Sequence, residues 1–254
     1  MRKNILIIYL LLLPIFSFAS DNIVKIAFSE FPPFEYLKNG KATGFTIDLL
    51  TDIFEAAGYK PDFIFLPWNR ALEVAKLGEV DVIIHLKKSE EREKYFIYSD
   101  PMIYSEQYFF KKKTLDIHPT NFAEIRSYNI ATVNGYFYGK DFNNAKLEHL
   151  VPIYSSEPTI ANLRKLVAGR VDLVACQVNV CNYFIDHNKQ EFADIDYINS
   201  LPIDESEPSY IAFPRANLEK SEILLKIFDV GLKKYIAEGK KAELIKKYNL
   251  DGVK

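Results

Sequence analysis

One pattern occurs twice in this sequence and restricts the folds that are open to it. RALEVAKLGEVDVII (70–84) and ANLRKLVAGRVDLVA (161–175) each join a helical segment, a glycine, a charged residue, Val-Asp and an apolar run typical of a strand. The glycine suits the end of a helix, because it takes a positive φ without a Cβ clash. The repeat predicts two similar α/β units, with a crevice where the strand ends of the two units meet.

Strand-like and helix-like segments alternate along the rest of the chain. Strands are predicted at 22–28, 61–67, 80–84, 128–133, 171–176 and 209–213. Helices are predicted at 45–58, 70–78, 140–150, 159–169, 178–186, 221–238 and 240–248. This alternation predicts an α/β fold with largely parallel sheets.

Residues 1–19 have the layout of a secretory signal peptide. A basic start precedes an apolar stretch, and small residues precede a cleavage point near Ala19/Ser20. An uncleaved membrane anchor is the alternative, but Pro14 interrupts the stretch, which is short for a spanning helix of about 20 residues. No cysteine lies near the cut, so a lipid anchor has no attachment point. We therefore expect an exported, soluble protein that begins near Ser20.

The charge and motif content exclude several functional classes. The net charge of the 254 residues is −2, and it becomes −4 when Arg2 and Lys3 are removed with the signal peptide. A mildly acidic chain without a long basic block gives no support for nucleic-acid binding. The GxSxG, P-loop and GxGxxG patterns are absent from the sequence. We expect no cofactor.

The histidines and cysteines predict neither a metal site nor a disulfide scaffold. The histidines lack the paired spacing of zinc ligands: His85, His118, His149 and His187. The two cysteines, Cys176 and Cys181, could form a disulfide in an oxidising compartment. Their spacing across a strand–helix turn is awkward for a bridge, so both the free and the bonded states remain open.

A dense group of charges follows the apolar run VDVII, in HLKKSEEREKYFIYSDP (85–101). A solvated surface turn is the ordinary interpretation of such a run. Taken with other segments, however, it resembles part of the family 3 bacterial extracellular solute-binding proteins, periplasmic receptors that mostly serve polar amino acid ABC importers. The segments that carry this resemblance, in order, are PPFEY (32–36), GFTIDLL (44–50), GEVDVII (78–84), SEEREKYFIYSDP (89–101), GRVDLVACQ (169–177) and YIAFPR (210–215).

The resemblance covers essentially the whole mature chain and implies a type II periplasmic-binding fold, with two α/β lobes, a hinge and a central cleft. It implies that lobe 1 comprises 20–109 and 208–254 and that lobe 2 comprises 110–207, with hinge crossings near Tyr108–Lys111 and Pro202–Tyr210. It also implies a periplasmic monomer that binds a small molecule and delivers it to the membrane permease of an ABC transporter.

Arg92 is the first ligand-binding residue that the resemblance implies. In the family, a serine or threonine precedes by three residues an arginine that holds the ligand carboxylate, and Ser89 and Arg92 occupy these positions. A planar guanidinium can form two parallel charge-assisted hydrogen bonds to a carboxylate, which lysine cannot copy. A structural salt bridge is the alternative role. The surrounding charges are expected to form only a solvated turn: Glu90, Glu91, Glu93 and Lys94.

Three departures from the family pattern bear on the ligand. Gln177 stands where the family places the aspartate that binds an α-ammonium group, and an amide lacks its negative charge. HLKK replaces a small Gly-Met-Thr stretch, so His85 and Lys87 either add positive character or turn to solvent. Trp68 and Arg70 lie near the expected cleft, where the tryptophan either packs the lobe or stacks on the ligand.

Other cleft candidates also come from the resemblance. Phe31 matches an aromatic residue that packs over the ligand, whereas Phe34 is expected in the core. Gly135 and Tyr136 match a loop whose backbone N–H groups meet the ligand carboxylate. Glu30 is a lone acid near the same crevice that could receive a ligand cation.

We expect a binding protein without catalytic activity, whose small polar ligand carries a carboxylate and is an amino acid or a related organic acid. Gln177 favours a ligand without a free α-amino group, although Glu30 or Asp172 could supply the missing negative charge from elsewhere. A dehydratase-like enzyme is one alternative, since a few relatives of this fold are dehydratases, but Glu30 is its single candidate acid. A sensory ligand-binding protein is another alternative. Such domains usually continue into a membrane helix, whereas this sequence ends at Lys254.

Overall fold

A computed structural model describes residues 22–148, 152–156, 158–204, 207–250 and 252–253. The predicted signal peptide lies outside these ranges, and its cleavage stays a prediction. Within the described ranges, every helix is too short or too polar to cross a bilayer.

The secondary structure alternates as the sequence pattern predicts. The strands are β1 (Ile23–Phe28), β2 (Tyr36–Lys38), β3 (Lys41–Thr43), β4 (Lys60–Phe65), β5 (Val82–Leu86), β6 (Phe96–Tyr98), β7 (Ile103–Tyr104), β8 (Gln107–Lys112), β9 (Ile130–Val133), β10 (Ile153–Ser156), β11 (Leu173–Gln177), β12 (Ile195–Tyr197) and β13 (Pro208–Pro214). The helices are α1 (Phe45–Ala56), α2 (Trp68–Lys76), α3 (Glu90–Glu93), α4 (Lys140–Leu147), α5 (Thr159–Val167), α6 (Val178–His187), α7 (Leu218–Ala237) and α8 (Lys240–Lys247).

The strands form two separate mixed sheets and a hairpin. The first sheet has the order β4-β1-β5-β13-β6, and β7 also pairs with β13. The second has the order β10-β9-β11-β8-β12, and β2 pairs with β3. In the first sheet β4, β1 and β5 are parallel, and β13 runs antiparallel to β5. In the second sheet β10, β9 and β11 are parallel, and β8 runs antiparallel to β11. The predicted α/β fold is confirmed, but the sheets are mixed rather than largely parallel, because β13 and β8 each pair antiparallel with their neighbours.

The chain passes between the sheets twice, after β7 and before β13. The first sheet therefore contains strands from both ends of the chain. β8 begins at Gln107 and pairs along its length with the second sheet, slightly before the predicted lobe boundary at 109/110. The exact lobe boundaries stay a prediction.

Both faces of the first sheet are covered by helices. Alternate residues of β1 face opposite cores: Val24 and Ile26 belong to the larger core cluster, and Ala27 belongs to the cluster around α2. α1 and α7 pack together on one face, and α2 packs against β1, β5 and β13. This arrangement explains why the parallel strands are almost continuously apolar.

The repeated Val-Asp dipeptide has the same structural role in both sheets. Asp81 precedes β5, and its Oδ2 accepts a hydrogen bond from the backbone N–H of Lys25 at 2.9 Å. Asp172 precedes β11, and its Oδ2 accepts from the backbone N–H of Asn129 at 2.8 Å. Each aspartate thus ties a central strand to the neighbouring parallel strand, which is a reason for the repeat that does not involve a ligand.

The PPFEY segment is fixed by the start of α1. The backbone N–H groups of Phe45 and Thr46 donate to the carbonyls of Pro33 and Phe34 at 3.1 and 2.8 Å, which satisfies donors that a helix start leaves unpaired. Gly44 makes this approach possible: its φ is +128°, and a Cβ there would lie 2.2 Å from the Phe34 carbonyl oxygen.

Replacing Gly44 with alanine should lower the free energy of unfolding by about 3 kcal/mol. A left-handed backbone costs a residue with a Cβ about 1–2 kcal/mol, and the overlap with the Phe34 carbonyl adds about 1–3 kcal/mol. Urea unfolding followed by circular dichroism measures the loss.

Gly40→Ala is the matched control, because Gly40 also has a positive φ, +75°, but a Cβ there would meet no atom within 4 Å. This variant should lose only the backbone part, about 1–2 kcal/mol. Equal losses in the two variants would contradict the role assigned to Gly44.

Candidate functional site

A cavity of about 650 Å³, part of it open to solvent, lies at the carboxyl ends of parallel strands from both sheets. On the first sheet, Phe31 follows β1 and Lys87 follows β5. On the second, Val133 ends β9 and Gln177 ends β11. Ligands of open α/β sheets bind at this edge, so the cavity is the candidate ligand site.

Arg92 lines the cavity with a buried side chain. Its placement begins with Ser89, whose Oγ accepts the backbone N–H of Arg92 at 3.3 Å and caps α3. Nη1 of the guanidinium donates to the carbonyl of Lys87 at 3.0 Å, and Nη2 donates to the carbonyl of Gly135 at 2.8 Å. Both acceptors are neutral backbone oxygens.

The charge of Arg92 has no direct counter-ion in the described part of the chain. Burial lowers the pKa of Arg92, because an apolar surrounding disfavours the charged form, while Tyr98 and Glu91 act weakly in the opposite direction. An arginine nevertheless stays protonated at neutral pH. The guanidinium also lies 5.8 Å from the ring centre of Trp68, a cation–π contact.

The rest of the charged segment faces water. The side chains that the sequence assigned to a solvated turn are all exposed: Glu90, Glu91, Glu93 and Lys94. Ser89 is partly exposed and does not line the cavity, so it acts on the site through the cap of α3.

Lys87 is buried and lines the cavity, but its charge is neutralised. Its Nζ donates to Oδ2 of Asp204, a buried carboxylate in the segment that returns from the second sheet to the first. The sequence predicted that Lys87 adds positive character or turns to solvent. The structure places it in neither role, because its ammonium group is buried against Asp204. The sequence does not show this pair, since the two residues are remote in the chain and only the fold brings them together.

His85 and Glu35 form a buried pair in the cavity wall. Nδ1 of His85 lies 3.0 Å from Oε2 of Glu35, and the imidazole packs against both stacked rings of Phe31 and Phe34, with ring centres at 4.8 and 4.7 Å. Phe34 belongs to the core, as predicted, whereas Phe31 is only partly buried and lines the cavity. His85 therefore faces an acid that the sequence interpretation missed, although Glu35 lies within the PPFEY motif.

The loop after β9 contacts the first sheet through one carbonyl. The oxygen of Gly135 accepts hydrogen bonds from Nε1 of Trp68 at 3.0 Å and from Nη2 of Arg92 at 2.8 Å. The rings of Trp68 and Tyr136 meet edge to face at 5.3 Å, and both line the cavity. Gly135 itself does not line it, and α4 begins only at Lys140, so this loop does not present a helix start.

Gln177 occupies the end of β11, in the register that the sequence predicted. Its Oε1 accepts the backbone N–H of Val180 at 2.8 Å and caps α6. Its Nε2 is buried and has no hydrogen-bond partner. The neighbouring Cys176 lines the cavity and forms a disulfide with Cys181 in the first turns of α6, which resolves the alternative left open by the spacing.

Two predicted candidates lie outside the cavity. Arg70 is exposed, because the buried face of α2 contains Trp68, Ala71 and Leu72 and a residue two positions after Trp68 points away from it. Asp172 is held by the backbone of Asn129 and does not line the cavity.

Glu30 lies in a hollow next to the main cavity. This hollow has about 570 Å³ of space and shares Trp68 and Tyr136 with the main cavity. Burial raises the pKa of Glu30, and a hydrogen bond with the backbone of Leu37 opposes that shift.

Several small polar residues in the cavity wall carried no sequence signal. Each is isolated in the chain and comes from a different element or crossing segment: Ser29, Ser105, Gln107, Thr159 and Ser209. Gln107 lies in the cavity because it pairs with Gln177 in the β8–β11 ladder, a pairing that appears only once the sheet has formed. Among the described residues, no cluster of three or more His, Cys, Asp or Glu side chains could hold a metal ion.

The sheet orders, the double crossing and the cavity between the strand ends define the type II periplasmic-binding class of proteins. The model of the bacterial extracellular solute-binding proteins, family 3, matches residues 24–251. The chain belongs to this family, whose members are predominantly binding proteins without catalytic activity.

Individual relatives are distant. A protein of Bacillus subtilis (strain 168) named "Probable amino-acid-binding protein YxeM" is 23% identical over 231 residues, which cover 90% of this chain and 84% of the relative. The structure of an ancestral arginine-binding protein bound to arginine superposes with a TM-score of 0.77 at 23% identity, over 89% of this chain and 98% of that one. A histidine kinase sensor domain with similarity to periplasmic binding proteins gives 0.78 at 20%, over 91% and 96%.

Removing one partner of the Lys87–Asp204 pair should destabilise the protein strongly. Asp204→Asn keeps an oxygen for the backbone N–H of Glu207, which Asp204 Oδ1 accepts at 3.2 Å, but leaves Lys87 buried without a counter-charge. Breaking a buried pair in this way costs about 3–5 kcal/mol. Chemical denaturation measures the loss.

Lys87→Met added to Asp204→Asn should recover a large part of that stability, because no charge then remains buried. Glu238→Gln, in the exposed pair with Lys240, is the control and should change little. A double variant as unstable as Asp204→Asn would show that the buried charge is not the cause.

Proposed function

We propose that this protein is a periplasmic solute-binding protein that captures a small carboxylate-bearing ligand between its two lobes and delivers it to the permease of an ABC transporter. The observation that carries the proposal is the buried guanidinium of Arg92 on the cavity wall. Two of its five N–H groups have backbone acceptors in the described part of the chain. The remaining donors and the positive charge favour an anionic ligand.

The energetics support this role over a structural salt bridge. A buried charge without a counter-ion is costly, and a carboxylate that binds a guanidinium in two places offsets this cost with two charge-assisted hydrogen bonds. The carbonyls of Lys87 and Gly135 and the cap at Ser89 hold the guanidinium in place before a ligand arrives. Pre-positioning of this kind reduces the entropy lost on binding.

A sensory role is the second candidate. The histidine kinase sensor domain that shares this fold is the observation in its favour, and the same cavity would serve capture for signalling. The dehydratase-like alternative has less support, because its candidate acid, Glu30, lies in the adjoining hollow rather than in the cavity lined by Arg92.

Arg92→Ala should weaken binding of the ligand by about 1.5–3 kcal/mol, the contribution typical of a hydrogen bond to a charged group, while folding is largely kept. Native mass spectrometry of freshly purified protein identifies a co-purified ligand. A thermal-shift panel of small mono- and dicarboxylic acids provides a binder if none is retained. Titration calorimetry then compares the variants.

Arg70→Ala is the matched control, since it removes the same side chain from an exposed position on α2 outside the cavity. Its affinity should equal that of the parent. Equal affinity for Arg92→Ala and the parent would contradict the proposed anchor, and a large fall in melting temperature for Arg92→Ala would favour a structural role for its hydrogen bonds to the Lys87 and Gly135 carbonyls.

Closure of the two lobes should make the molecule more compact when ligand binds. The chain crosses between the sheets in two segments, between β7 and β8 and between β12 and β13, about which the lobes would rotate as rigid bodies. Small-angle scattering should show a smaller radius of gyration at saturating ligand. An unchanged scattering profile would count against a hinged receptor.

A further inference from the structure

We infer that the ligand is an organic acid with a second oxygen acceptor in place of an ammonium group, such as a 2-oxo, 2-hydroxy or dicarboxylic acid. The inference rests on the proposed function and names the ligand class of the same cavity. It is argued from the donor and acceptor state of Gln177 and from the carboxylates of the cavity lining, to which Glu30, in the adjoining hollow, does not belong.

The orientation of the Gln177 amide is fixed by the backbone. Val180 N–H is a donor, so the atom 2.8 Å away must be the amide oxygen of Gln177. The amide nitrogen is then the group left on the other side, and it is buried without an acceptor. Gln177 is 6% exposed and lines the cavity, so a bound ligand is the natural source of the missing acceptor.

The described lining of the cavity contains one carboxylate that an ammonium group could meet. Glu35 is the single carboxylate in that lining, and its Oε2 is already in contact with His85 Nδ1. The nearby Asp204 is paired with Lys87. Nε2 of His85 also lacks a partner, but an imidazole carries no negative charge in either protonation state.

The donors of Arg92 and Gln177 therefore both favour an oxygen atom of the ligand. Arg92 favours a carboxylate, and Gln177 Nε2 favours a keto, hydroxyl or second carboxylate oxygen. An ammonium group near Gln177 would place donor against donor in a cavity that already contains an unneutralised guanidinium. A site with fixed donors discriminates against a ligand that cannot accept their hydrogen bonds.

Matched pairs of acids test the inference on the parent protein. The pairs differ only at the second carbon: pyruvate and L-lactate against L-alanine, and 2-oxoglutarate and L-2-hydroxyglutarate against L-glutamate, with glutarate as the five-carbon dicarboxylate without a group at that carbon. Thermal shift and then calorimetry should show at least one oxygen-bearing acid binding about tenfold or more tightly than its amino counterpart.

Gln177→Glu is the matched variant, because glutamate can keep one oxygen on Val180 N–H while the orphaned nitrogen becomes an acceptor. It should bind the oxygen-bearing acid about tenfold or more weakly and gain affinity for the amino acid of the same pair. Gln190→Glu makes the same charge change at an exposed site and should leave both affinities unchanged.

The outcomes distinguish failure of this inference from failure of the proposed function. An amino acid that binds the parent as tightly as its oxygen counterpart overturns the inference but leaves carboxylate capture standing. Identification of a standard α-amino acid as the co-purified ligand overturns it in the same way. If neither member of any pair binds, the proposed capture of a carboxylate is wrong and the inference is wrong with it. The parent measurements decide even if Gln177→Glu does not fold.

Discussion

The burial of one guanidinium is the constraint to which the other features of the cavity respond. Arg92 lies on a single turn of helix capped by Ser89, and its donors are directed at carbonyls from two sheets. Lys87, which precedes it, is balanced by Asp204, and His85 contacts Glu35 through Nδ1. Among these three side chains, Arg92 is the one without an acidic partner in the described part of the chain, and an uncompensated charge is expensive in a buried site.

The sequence predicted most of the larger elements well because their apolar periodicity is strong, but it did not predict the six-residue strand β8, whose apolar residues Tyr108, Phe109 and Phe110 are consecutive rather than alternating. It missed short strands such as β6, β7 and β12, which have two or three residues and too few side chains to show alternation. The strand after Gly78 begins two residues later than predicted, because Asp81 bonds to the neighbouring strand before the ladder starts. Polar contacts of this kind depend on the assembled sheet.

The candidate site was predictable where a motif fixed the register and not where the partner is distant in sequence. Phe31 and Gln177 lie close to the ends of β1 and β11, and Arg92 lies on the single helical turn that follows β5. The pairing of Lys87 with Asp204, 117 residues away, has no local signal. Arg70 was placed in the cleft by proximity to Trp68, although the turn of a helix sends the two side chains in different directions.

The shared carbonyl of Gly135 separates the strength of binding from its selectivity. In a hinged receptor, the apparent Kd equals the intrinsic Kd divided by the fraction of molecules already closed. If the lobes hinge as proposed, the hydrogen bonds from Trp68 and Arg92 to Gly135, which form without any ligand, would contribute to that fraction. A change confined to Trp68 Nε1 would therefore rescale the affinity for every ligand by one common factor. The ratio of the affinities for two ligands would instead depend on the groups that contact the ligands. Evolution could therefore adjust affinity and selectivity at different residues.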